Sequence, residues 1–153
     1  MNIIASRTGK VAVAAALGAL LTSGAFAQTP APLPPVHKSG AVEYLSGGIG
    51  QDEATAIDKA GRQWPLTLEF AINNKHHADF VANVKVLVRD TKGHTALQAT
   101  ANGPFLLAKL APGRYTVDAT LDGQTLHQSV SVKPGQPARS VLVWPAGTDG
   151  TSS

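Results

Sequence analysis

Gly103–Gly123, GPFLLAKLAPGRYTVDATLDG, holds two apolar runs separated by Pro112-Gly113 and closed by Asp122-Gly123. Proline at the second position of a turn presets φ near −65°, and glycine at the third takes the positive φ of a type II turn. Asp-Gly suits the left-handed geometry of a two-residue type I′ hairpin loop. Between these turns Tyr115, Val117, Ala119 and Leu121 alternate with Thr116, Asp118, Thr120 and Asp122. A period of two means a strand with one dry and one wet face; a helix would place its apolar residues three and four apart. The stretch therefore reads as a central β-hairpin on which the other strands pair and pack.

Strand patterns lie on both sides of it. Leu66, Leu68, Phe70 and Ile72 alternate with Thr67, Glu69 and Ala71, and Val84, Val86 and Val88 with Lys85, Leu87 and Arg89. Thr95–Thr100, Pro104–Leu110, Gln124–Lys133 and Ser140–Trp144 complete the set, and Val42–Leu45 can add a short first strand. Leu126, Val130 and Val132 are read as inward-facing. Asn73–Asp79 (NNKHHAD) reads as a polar loop. Ahead of the first long strand, acidic Asp52 and Glu53 open a short helix over about 52–62, where they favour the positive end of its dipole. Seven or eight short strands spaced by turn residues every 8–12 residues or so predict a mainly β fold, a sandwich or small barrel, with one short helix near the N-terminus.

Residues 1–27 read as a signal peptide. Arg7 and Lys10 precede the apolar run Val11–Leu21, and Ala25-Phe26-Ala27 has the small-x-small pattern of a cleavage site, placing the cut between Ala27 and Gln28. That run is about half the roughly 20 residues a helix needs to cross a bilayer, so no membrane insertion is expected after cleavage. Residues 28–40 form a proline-rich extended leader, 41–145 a single β domain, and 146–153 a flexible tail. The formal charge of +3 includes Arg7 and Lys10. Residues 28–153 are thus nearly neutral and offer nucleic acid no basic footprint. Cysteine is absent, which excludes disulfides, thiol catalysis, Cys-bound zinc and a lipidated cysteine. The expected location is periplasmic or secreted.

The run GPFLLAKLAPGRYTVDATLDGQTLHQSVSV resembles the carboxypeptidase regulatory-like domain. Its pattern of a leucine, a Pro-Gly turn, a Tyr-x-Val strand and a glycine turn corresponds here to Leu110, Pro112-Gly113, Tyr115–Val117 and Gly123. The likeness spans roughly Leu66–Trp144. It implies a seven-stranded transthyretin-like β-sandwich with an accessory, binding or folding role beside enzymes, and does not imply peptidase chemistry. YLSGGIGQDE and the helix resemble the front part of small exported proteobacterial proteins that bear this domain.

Candidate chemistry is sparse. His76-His77-Ala78-Asp79 has an H-x-x-D spacing that could converge on a metal if it formed a helical turn, with His94 or His127 as a third ligand. In an extended loop the two histidines point apart, and the segment is then merely solvated. Ser46–Gly50 before the helix invites a phosphate-cradle reading, but it lacks the P-loop Lys-Ser/Thr, and Asp52 and Glu53 would repel an anion. No G-x-S-x-G elbow is present, nor the Tyr-Arg-Gly-Ser end of the transthyretin-like hydroxyisourate hydrolases. Trp64, Phe80, Phe105 and Trp144 read as core or rim packing, and two of them exposed side by side would mark a contact patch. The expected function is therefore a non-catalytic interaction module without a cofactor, holding a protein partner in the cell envelope. A small metal-binding protein or metal-dependent hydrolase using His76, His77, Asp79 and His94 is the alternative.

Overall fold

In the computed structural model, which describes residue 24 and residues 29–148, the strands form two sheets. The strands, in chain order, are β1 (His37–Ser39), β2 (Val42–Gly47), β3 (Leu66–Asn74), β4 (His77–Phe80), β5 (Val84–Asp90), β6 (Thr95–Ala101), β7 (Phe105–Ala108), β8 (Gly113–Leu121), β9 (Gln124–Val132) and β10 (Ala138–Trp144). A single helix among the described residues, α1 (Gln51–Gly61), lies between β2 and β3. The first sheet has the order β1-β2-β7-β3-β10, with β4 pairing β3, and the second the order β6-β5-β8-β9. The expected signal peptide and its cut site lie outside the described residues.

The two apolar runs of Gly103–Gly123 do not pair with each other, so the central hairpin over Pro112-Gly113 is corrected. β7 pairs with β2 and β3, whereas β8 pairs with β5 and β9. The residues between them carry the chain across from one sheet to the other. Burial explains the separation. All four residues of β7, Phe-Leu-Leu-Ala, are buried, so both its faces must be covered. β8 keeps Thr116, Asp118 and Thr120 on a face open to water. Neighbours in one sheet share an outer face, and these two strands need different ones.

The Asp122-Gly123 hairpin forms as read. Asp122 (φ 46°) and Gly123 (φ 82°) make the two-residue loop that joins β8 to β9, with Leu121 opposite Gln124. Inner faces of both sheets enclose the main core, from Leu66, Leu68 and Phe70 across to Val84, Val86, Val88 and Val117. A second, smaller cluster lies on the outer face of the first sheet, where α1 brings Ile57 against Leu45, Phe105 and Leu107. This helix covers the surface that makes β7 apolar throughout.

Among the described residues ten strands stand where seven or eight were expected, against the seven of the resembled sandwich, and the helix expected near the N-terminus follows two strands. The additions are β1, inside the expected leader, and β4, inside the expected polar loop. β4 is exposed at every position and held by its ladder to β3, so no apolar alternation announces it. β1 is held by β2 and by the Gln98 amide, which donates to Ser39 Oγ at 3.0 Å. Residue 148, in the expected tail, turns back: its hydroxyl donates to the Pro145 carbonyl at 2.7 Å.

Candidate functional site

The outer face of the first sheet divides into a covered and an uncovered half. Register places Ala71 between Phe80 of β4 and Val143 of β10, and in the next row Glu69 between Phe105 of β7 and Val141 of β10. All six side chains share one face, because directly paired residues point the same way. Beyond them, the row of Leu107, Thr67 and Arg139 leads under α1. Phe80 is 61% exposed, Val141 47% and Val143 44%. Phe80 lies against Phe105, ring centroids 6.0 Å apart, so one exposed aromatic continues into a buried one. β10 is the border of this face, pairing with β3 in parallel and, among the described residues, forming no ladder on its other side.

Arg139 links this face to the helix. Its guanidinium donates to Asp58 of α1 at 2.5 Å and to Glu69 at 2.6 Å, and lies 5.9 Å from the Phe105 ring centre. The hydrogen bond from Arg139 holds the Asp58 carboxyl below its ordinary value near 3.8, against a smaller opposing effect of burial. A carboxyl with a lowered folded pKa contributes stability above its unfolded value and loses it as pH falls through the folded one. Docking of α1 is therefore expected to weaken only below about pH 3.8 on this account. An NMR titration should give Asp58 a midpoint below that value in the wild type and a higher one in Arg139→Gln. Equal midpoints in the two proteins would show that the bond does not hold in solution.

The histidine candidates are distributed over two turns. Asn73–Asp79 is a hairpin, with Lys75 and His76 as its turn and His77–Phe80 as β4. His76 and Asp79 are consequently not on one helical turn, as an H-x-x-D site would need. It is His77 that meets Asp79, two residues along the same strand, with Nε2 2.8 Å from Oδ1 and both side chains largely exposed. Asn74 also donates to Asp79. His94 sits in the β5–β6 turn at the far end of β5. There Asp90 Oδ1 accepts the backbone N–H groups of Lys92 and His94, and the bond from His94 is the main cause of the lowered Asp90 pKa. Among the described residues no three His, Asp or Glu side chains gather where they could hold a metal ion.

The glycine-rich entry to α1 is occupied by its own chain. Glu53 Oε1 accepts the Gly48 N–H at 2.7 Å, filling the place a bound phosphate would take.

One cluster was not foreseen. His127 Nδ1 lies 2.6 Å from Asp118 Oδ1, and Arg89 donates to Asp118 Oδ2 at 2.8 Å, on the outer face of the second sheet. A signal for half of it was present. The Asp122-Gly123 loop sets the β8–β9 register, and counting four residues outward from each of its members places Asp118 opposite His127. On the same face the hydroxyls of Thr120 and Thr125 bond each other at 2.7 Å.

No helix among the described residues is long and apolar enough to cross a membrane. No family model matches the chain, and no curated protein was found to be similar to it.

Proposed function

We propose that this protein is an exported, non-catalytic interaction module, a transthyretin-like β-sandwich of the carboxypeptidase regulatory-like type, which holds a protein partner in the cell envelope. The observation that carries the reading is the apolar surface of Phe80, Val141 and Val143, contiguous on one sheet face and ending at the border strand β10. Exposed apolar patches of this kind mark contact surfaces, and a border strand can add backbone hydrogen bonds to an extended partner segment. The export pattern of residues 1–27 and the likeness over Leu66–Trp144 support the same reading.

A photoreactive amino acid placed at Val141 in producing cells should crosslink one discrete protein. The same probe at Thr116, on the opposite outer face, should not. Phe80→Asp should reduce the Val141 adduct at least about tenfold, the scale of losing one central anchor, with an unchanged melting temperature because Phe80 is exposed. Equal adducts from both positions, or turnover of a peptide or ester panel by metal-stripped protein, would remove the proposal.

A further inference from the structure

Three connections converge at one end of the two sheets and border an open hollow of about 300 Å³. They are the segment Arg62–Pro65 after α1, the β7–β8 crossover, and the turn between β9 and β10. Its walls are Trp64 with Pro65, Pro112, Pro134 and Pro137. Four prolines make a wall that lacks backbone donors and holds fixed φ angles. Leu110 and Val132, both buried in the main core, form the floor. The loops are pinned before any ligand arrives. Gln63 N–H donates to the Ala60 carbonyl at 2.9 Å, Gln136 N–H to the Lys133 carbonyl at 3.3 Å, and Ala138 N–H to the Pro65 carbonyl at 2.9 Å.

The charged side chains lining the hollow are both positive. Arg62 and Lys133 border it, and no Asp or Glu among the described residues lines it. Lys109 lies 5.0 Å from the centre of the Trp64 ring but outside the lining, and its charge is matched by Glu43 at 2.9 Å, so that pair adds no net charge to the rim. Asp58, whose charge Arg62 also feels, is bonded by Arg139. An apolar, preformed hollow at the small end of the ligand-pocket range, with cations at its mouth, matches a molecule with a carbon body and one anionic head.

From this we infer that the hollow is a binding site for a small amphipathic carboxylate, its carbon body against Trp64 and the prolines and its carboxylate between Arg62 and Lys133. This site is separate from the β10 face, and its test does not depend on the partner proposed there. The probe is octanoate, with octanamide as its neutral counterpart, titrated into the purified protein while backbone and indole N–H signals are followed by NMR.

Octanoate should give saturable shifts at the Trp64 indole and the Lys133–Gln136 amides, and octanamide should bind at least about tenfold more weakly. Arg62→Gln/Lys133→Gln, two exposed positions, should erase that difference without changing the melting temperature. Trp64→Ala should abolish both titrations. Equal affinity for the acid and the amide overturns the inference. So do shifts confined to another face, no shift at millimolar octanoate, or a response to an acidic peptide but not to octanoate.

Discussion

Trp144→Ala should cost about 3–5 kcal/mol of stability, the range for truncating a fully buried large aromatic. Against a total of about 5–15 kcal/mol for a domain of this size, that is a loss of roughly a fifth or more. The indole packs against Phe70, ring centroids 6.2 Å apart, and has no exposed surface. Its Nε1–H donates to the Gln124 carbonyl at 2.9 Å, bridging from β10 in the first sheet to β9 in the second. Trp144→Phe separates the two contributions: it keeps a ring in the core and should cost only about 1–2 kcal/mol for the lost hydrogen bond and smaller volume. Urea unfolding of the three proteins reads both values. An alanine variant within about 1 kcal/mol of wild type would mean the indole is not in the core.

Gly103→Ala is the second large effect, and its cause is backbone contact. A Cβ at Gly103 would lie 2.3 Å from the Gly47 carbonyl oxygen, at the end of β2. The approach is fixed alongside by the Asn102 N–H, which donates to Ser46 Oγ at 3.0 Å. Relief requires β2 or the β6–β7 turn to move, at a cost near the upper end of the 1–3 kcal/mol or so typical of overpacking. Gly123→Ala is the comparison. It has positive φ but nothing within 4 Å of its added methyl, so it should lose only about 1 kcal/mol from backbone preference. If unfolding experiments ranked the two the other way, the close passage of β2 over Gly103 would be absent.

How far the fold was legible depended on whether a strand has one wet face. Val84, Val86 and Val88, or Val117, Ala119 and Leu121, announce themselves because water lies on their other side, and the observed burial follows their alternation. Phe105–Ala108 is buried on both sides, and its sequence does not say which sheet it joins. Knowing that α1 lies over it resolves the ambiguity, but that is a tertiary fact. β4 was invisible for the opposite reason, since nothing in it is buried and backbone pairing with β3 alone defines it. The site followed the same division. The separation of His76 from Asp79 depends on the backbone being strand and not helix. Phe80, Val141 and Val143 come together only through pairings with β3 that residue spacing does not encode.

The parallel pairing of β10 with β3 joins positions some seventy residues apart, beginning with Leu66 opposite Ala138. Loop closure across so long a span is entropically costly, so β10 is expected to dock late in folding. Until it docks, the flank of β3 is an empty berth that the β10 of another molecule fits equally well. The linker Lys133–Pro137, stiffened by two prolines, is the hinge about which such an exchange would turn, so refolding at high concentration should trade monomer for a strand-swapped dimer.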